Sequence, residues 1–138
     1  MSAYTGNKLA AYSSVATHGG VAAGDPHRLV LMLIDGALER LAMARGCLER
    51  GDIAQKAALL QRTVSIIAEL RASLDLSRGG ALATNLDDLY DYMERQLVRA
   101  NSENRSAGLD EVSGLLNEIR SAWAAVPLAL RNSAARQL

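Results

Sequence analysis

Phenylalanine is absent from this chain, and the residues that usually interrupt or staple a fold are scarce: two prolines, Pro26 and Pro127, and one cysteine, Cys47. With prolines only near the two ends, everything between them is free to be helical. A lone cysteine excludes an internal disulfide, and its place in a helical apolar pattern marks it as a small core residue, in keeping with a reducing compartment. Net charge is missing as well, because 15 basic side chains cancel 15 acidic ones. Interspersed charges of both signs leave no phosphate-neutralising face, which argues against nucleic acid as a partner. No apolar run approaches the ~20 residues that span a bilayer. The N-terminus shows no basic-then-apolar signal peptide. The expectation is a cytoplasmic protein with no membrane insertion.

What the 138 residues do contain is helix-forming sequence. Leu, Ala, Glu, Arg and Gln favour helices, runs of β-branched residues are absent, and the length suits one domain. The fold class expected is all-α: an antiparallel up-down-up-down four-helix bundle with a flexible N-terminal arm. Residues 1–24, rich in Ser, Thr, Gly and Ala, form the arm; residues 25–127 form the bundle; residues 128–138 form a C-terminal tail. Within the arm, Leu9, Tyr12 and Val15 have near-helical spacing, enough for a turn or two; the segment is either an arm that docks reversibly on the domain's own apolar surface or a disordered leader with chance apolar residues.

Asp25-Pro26 opens the first helix, with a capping carboxylate followed by proline at the first helical position. That helix should run over residues 26–50 with a core stripe of Val30, Leu33, Ala37, Leu41, Ala44 and Leu48. Leu29 to Ile34 is an unbroken apolar run, more than one core seam requires, so Leu31, Ile34 and Leu38 are candidates for a second, outward strip, with a place in the core as the alternative for each. Gly36 and Gly46 are candidates for close helix approach. Gly51 stops the helix and Asp52 caps the next, with Gln55 three residues on. The second helix is expected to reach about residue 76, with Leu59, Ile66 and Leu70 as another apolar strip beside its core stripe. Two glycines, Gly79 and Gly80, open the third helix, and Asn101 closes it. Leu82, Leu86, Leu89, Met93, Leu97 and Ala100 line its core face. Tyr90 and Tyr92 fall off that stripe, beside Asp87, Asp88 and Asp91. Residues 101–108 read as a polar loop. The fourth helix, 109–126, has Leu109, Val112, Leu116, Ile119, Trp123 and Val126 at alternating steps of three and four.

A four-helix bundle invites a test for a dinuclear metal site, which uses two Glu-x-x-His pairs. The only histidines are His18 and His27; neither follows a glutamate by three residues, and His27 reads as a partly exposed first-turn residue. Zinc lacks ligands, and no Walker loop, dinucleotide glycine pattern or Gly-x-Ser-x-Gly elbow occurs. Asp87, Asp88, Asp91 and Glu94 read as a salt-bridged helix face. The chain is expected to be no enzyme, with no catalytic residues, cofactor or metal.

Four stretches carry a family resemblance. They are Ala11-Tyr12-Ser13-Ser14-Val15 in the arm; Leu29-Val30-Leu31-Met32-Leu33-Ile34-Asp35-Gly36-Ala37-Leu38 in helix one; Gly79-Gly80, Asn85-Leu86 and Leu89-Tyr90-Asp91-Tyr92-Met93 in helix three; and Leu109-Asp110-Glu111-Val112, Leu115-Leu116 and Arg120 to Trp123 in helix four. In this order they resemble the flagellin-specific export chaperones of the FliS family over nearly the whole chain. Ile34 departs from the tyrosine frequent before Asp-Gly, His27 from an acidic residue after the proline, and the linker 17–24 is longer and richer in glycine.

The resemblance implies a cytoplasmic chaperone that binds the disordered C-terminal segment of flagellin, keeps it unpolymerised and presents it to the flagellar type III export apparatus. Export-gate and flagellar regulatory proteins are further partners on this reading, and the resting state is a monomer or weak homodimer. Surplus apolar strips on the bundle suit a client helix laid in a groove. The candidate contact residues are therefore Leu31, Ile34, Leu38, Leu59, Ile66 and Leu70, with Leu9, Tyr12 and Val15 covering the empty groove. Tyr90 and Tyr92 are weaker candidates, because they also suit packing against a neighbouring helix or the arm. The rival readings are a self-associating structural bundle and a regulatory adaptor, neither with a flagellin client.

Overall fold

The computed structural model describes residues 25–126; residues 1–24 and 127–138, and with them the arm, the tail and the end of the expected bundle at 127, lie outside the description. Four helices make up the described chain: α1 (Pro26–Arg50), α2 (Ile53–Ala72), α3 (Leu76–Glu103) and α4 (Ser106–Ala124). Each packs on the next and α4 returns to α1, which closes a square of four. Side-chain pairs fix the directions. Asp35 and Arg45 of α1 meet Arg120 and Asp110 of α4, so moving forward along one helix means moving back along the other. Lys56 and Arg71 of α2 likewise meet Asn101 and Asp87 of α3. The up-down-up-down bundle expected from the sequence is the fold observed.

Local chemistry sets the boundaries. Asp25 caps α1 through the Arg28 amide at 3.0 Å, with Pro26 in the first turn. Gly51 ends that helix at φ 77°, a left-handed conformation that favours glycine. Asp52 then caps α2 through Gln55 N–H. The second connection departs from expectation. α2 stops at Ala72, and Asp75 caps α3 through the Arg78 amide, so α3 begins before the glycines rather than at them. Gly80, at φ 59° and ψ −141°, breaks α3 after its first turn. The polar loop expected over 101–108 shrinks to Asn104 and Arg105. Asn104 takes the left-handed conformation at φ 53° that ends α3. Gly108 is not a loop residue: it lies inside α4, where a Cβ would come within 2.8 Å of the Ala100 Cβ, and so allows α4 to cross α3 closely.

The core is built from Ile34, Ala37, Leu41, Ala44 and Cys47 of α1, Leu60 and Ile67 of α2, Met93, Leu97 and Ala100 of α3, and Leu109, Val112 and Leu116 of α4. Each large member contributes about 1.5–3 kcal/mol through burial. The stripe on α3 is rotated from the one drawn on the sequence. Ala83, Tyr90, Met93, Leu97 and Ala100 are buried, while Leu82 is 59% exposed.

Candidate partner-binding surfaces

At the end of the bundle where α1 begins and α4 finishes, the four helices leave an apolar hollow of about 330 Å³. Val30 enters from α1, Leu70 and Leu74 from the end of α2, Leu82, Leu86 and Tyr90 from α3, and Ile119 and Trp123 from α4, with Val126 just beyond. Because α3 is broken at Gly80, its first turn does not continue the line of the helix, and Leu76 and Leu82 stand exposed on either side of the break. Arg78 and Ser73 supply the polar part of the lining. The arrangement offers shape and apolar surface, and the Ser73 hydroxyl in its lining donates to the Leu70 carbonyl.

His27 and Trp123 hold α1 to α4 beside this hollow. Their rings stack at 4.9 Å between centroids and 16° between planes. The Trp123 indole N–H donates to the His27 carbonyl at 3.0 Å, and His27 Nε2 lies 2.7 Å from the Trp123 carbonyl. A carbonyl only accepts, so Nε2 carries the proton. Both residues are buried, which corrects the partly exposed first-turn position expected for His27. The stack needs α4's last turn, and its partner is invisible from the sequence around residue 27.

The structure separates the residues singled out in the sequence. Ile34, expected to face outward, is fully buried, because the α1 core stripe runs through His27, Ile34, Ala37, Leu41 and Ala44. An unbroken apolar run leaves the phase of such a stripe undetermined. Leu59 and Leu70 are likewise buried rather than outward, although Leu70 forms part of the hollow's floor. Leu31 and Leu38 are half-buried one turn to either side of Asp35, whose bond to Arg120 places them on the edge of α1 nearest α4. Ile66 is half-buried at the other edge of α1, near Gly36. The six therefore form no single strip. Tyr90, expected off the core stripe, is buried on it and reaches the hollow, and burial pushes its phenol up to about 12. Tyr92 is half-buried; its hydroxyl donates to Glu111 of α4 at 2.7 Å, and the Arg95 guanidinium lies 5.8 Å from its ring centre. Leu9, Tyr12 and Val15 lie outside the described residues.

The acidic flank of α3 is an ion-pair network, as its spacing suggested. Arg71 bonds Asp87 at 2.7 Å and Asp91 at 3.1 Å, and comes within 4.0 Å of Glu94. Arg95 first and Arg71 second hold the Asp91 carboxyl below its usual range. Desolvation pushes Glu94 the other way, and its Oε2 is buried without a hydrogen-bond partner among the described residues.

Residues 8–129 match the family described as flagellar protein FliS. The chain belongs to the FliS family. It is 47% identical over 120 residues to flagellar secretion chaperone FliSB of Pseudomonas aeruginosa, an alignment covering 87% of this chain and 95% of that protein. With flagellar secretion chaperone FliS of Salmonella typhimurium it shares 44% identity over 121 residues, 87% of this chain and 90% of the relative. With the protein of the same name in Bacillus subtilis it shares 37% over 98 residues, 71% and 72% of the two chains. FliS is a family of chaperones, not enzymes. The FliS match includes every residue that lines the hollow. Among the described residues, no helix is long and apolar enough to cross a membrane.

Proposed function

We propose that this chain is a flagellar secretion chaperone that binds the disordered C-terminal segment of flagellin in the cytoplasm, prevents its premature polymerisation and delivers it to the flagellar type III export apparatus. The observation that carries the reading is the apolar hollow at the open end of the bundle, in a member of a family whose relatives are named flagellar secretion chaperones. A client helix presenting Leu, Ile or Val at successive turns would seat one apolar face between α3 and α4. Each well-buried anchor contributes about 1.5–3 kcal/mol, and ordering a disordered segment offsets much of that. A hollow this size takes only a few side chains, so the client must also spread along the half-buried edge of α1 nearest α4, where Leu31 and Leu38 lie. Leu9, Tyr12 and Val15 of the arm would cover part of the groove when no client is present. Export-gate or regulatory proteins would be met by the loaded chaperone.

Calorimetric titration of the full chain with a synthetic peptide of the flagellin C-terminal segment tests this. The expected result is saturable one-to-one binding with a large negative heat-capacity change. Leu82→Glu should weaken it at least about tenfold while leaving melting unchanged, because Leu82 is mostly exposed. Absence of saturable heat at high micromolar peptide, or equal affinity in Leu82→Glu, would overturn the assignment.

A further inference from the structure

The outer face between α1 and α2 carries a second groove that the hollow does not use. Residues 32, 36, 39, 43, 46 and 50 of α1 follow steps of four and three and so form one stripe; residues 55, 59, 62 and 66 of α2 do the same beside it. Met32 and Met43 stand 41% and 50% exposed on the α1 stripe, and Gly36 and Gly46 notch it. A Cβ on Gly36 would meet only the side-chain ends of Arg40 and Ile66, and one on Gly46 only that of Arg50. Around Met43, Gly46 and Leu59 the groove deepens into a hollow of about 290 Å³. Flexible thioethers over glycine notches form a surface that can repack around an inserted side chain.

Charge says what fits. Arg45, Arg71, Arg95, Arg99, Arg105 and Arg120 are each ion-paired to a carboxylate of this chain. Arg40, Arg50 and Arg62, which rim the groove, have no such partner among the described residues, as Arg28 and Arg78 elsewhere have none; Arg40 bonds the Gly36 carbonyl and Arg50 the Cys47 sulfur. With Glu39 the one acid on the two stripes, the groove keeps a net positive charge. Neither flanking segment of the chain supplies the missing anions. Residues 1–24 hold Lys8 but no Asp or Glu, and residues 127–138 hold Arg131 and Arg136 but no Asp or Glu.

We propose that the α1–α2 groove is a second docking surface, which takes an acidic amphipathic helix from another protein. Its apolar side chains would enter the notches beside Met32 and Met43, and carboxylates on its flanks would pair with Arg40, Arg50 and Arg62, whose planar forks suit bidentate contact. The two hollows share no lining residue, so a helix here and a client in the end hollow can be carried together. The inference stands whether or not the client is flagellin.

The test uses the full chain and a fluorescent synthetic amphipathic peptide with leucines at helical spacing and glutamates on both flanks, against a twin with lysines in place of the glutamates. Anisotropy should show saturable binding of the glutamate peptide, about tenfold tighter than its twin at low salt and weakened by added salt. Arg40→Glu with Arg62→Glu should reverse that preference, Met43→Asn should weaken binding of both peptides, and Leu82→Glu should leave binding unchanged. Circular dichroism melts identify any variant that fails to fold, and Arg62→Glu alone, at an exposed position, still decides the charge preference. Equal affinity of the two peptides, no effect of the arginine variants, or loss of binding in Leu82→Glu would overturn the proposal. A dimer by sedimentation that Arg62→Glu dissociates would also overturn it, by assigning the groove to a second copy.

Discussion

Lys56 carries an ammonium group into the bundle at 1% exposure, and oxygens without formal charge receive it. Its Nζ donates to the Asn101 carbonyl at 2.8 Å and to the side-chain oxygens of Asn101 and Asn104, both at 2.6 Å. These acceptors lie at the C-terminus of α3, where the helix dipole favours a cation. Desolvating a charge is costly, so three charge-assisted bonds must together offset it. Lys56→Met keeps the stem and removes all three; it should lower stability by about 2–4 kcal/mol. Asn104→Gly keeps the left-handed backbone and removes one, so it should cost only about 1 kcal/mol. Urea midpoints at unchanged slope measure both, and a Lys56→Met protein as stable as the parent would mean the bonds are worth no more than hydration. None of this was legible in the sequence. A lysine reads as a surface residue, and a run such as Asn101-Ser102-Glu103-Asn104-Arg105 reads as loop, because the partner that gives those asparagines their purpose is 45 and 48 residues away.

At the scale of elements, what the sequence made legible was existence and order; what it left open was phase. All four helices appear in the order periodicity gave them, with the limits of the last three shifted by a few residues, and the Asp25-Pro26 and Gly51-Asp52 signals gave α1 its observed limits. Those signals are local chemistry, complete within a few residues. The face each helix buries is not local. Ile34 sits in a run with apolar residues on all sides, so the direction of the core is decided only by α2 and α4. On α3, counting leucines drew the stripe through Leu82, whereas the helix buries Ala83 and Tyr90 and leaves Leu82 beside the break. Two glycines separate backbone need from space. A Cβ on Gly80 or on Gly114 would meet no heavy atom within 4 Å, yet only Gly80 has positive φ. Gly80→Ala should therefore cost about 1–3 kcal/mol, and by straightening or fraying the start of α3 it should also weaken client binding. Gly114→Ala, within the regular helix α4, should stabilise by about 0.5–1 kcal/mol and leave binding alone. Thermal melts and the peptide titration read the two together. If Gly80→Ala proved as benign as Gly114→Ala, the break in α3 would not be a structural requirement of the hollow.

Across the whole molecule the two ends of the bundle differ. One is closed by the tight Gly51 turn, the Asn104 cap and the Lys56 clasp across α2 and α3. The other is held by the His27–Trp123 stack and otherwise opens into the apolar hollow. No single helix reveals that opening, since Val30, Leu74, Leu86, Ile119 and Trp123 each read as core within their own stripe; it arises because four stripes converge where nothing described fills the centre. An unfilled hollow beside the His27–Trp123 stack lowers the expected cost of local opening at that end, relative to the fully packed core around Leu41, Leu60, Leu97 and Val112. In native-state hydrogen exchange, amides of α4's last turns and of α3 just after Gly80 should exchange at least about tenfold faster than those around Leu97. Trp123→Phe, which keeps a ring but loses the bond to the His27 carbonyl, should accelerate the first set and not the second. Client peptide should slow that set. If both ends exchange at the global rate, the hollow is rigid and preformed, and a client must fit it as it stands; if the open end exchanges first, binding and local ordering of the bundle are one process, and affinity for the client will depend on how firmly His27 and Trp123 hold the end together.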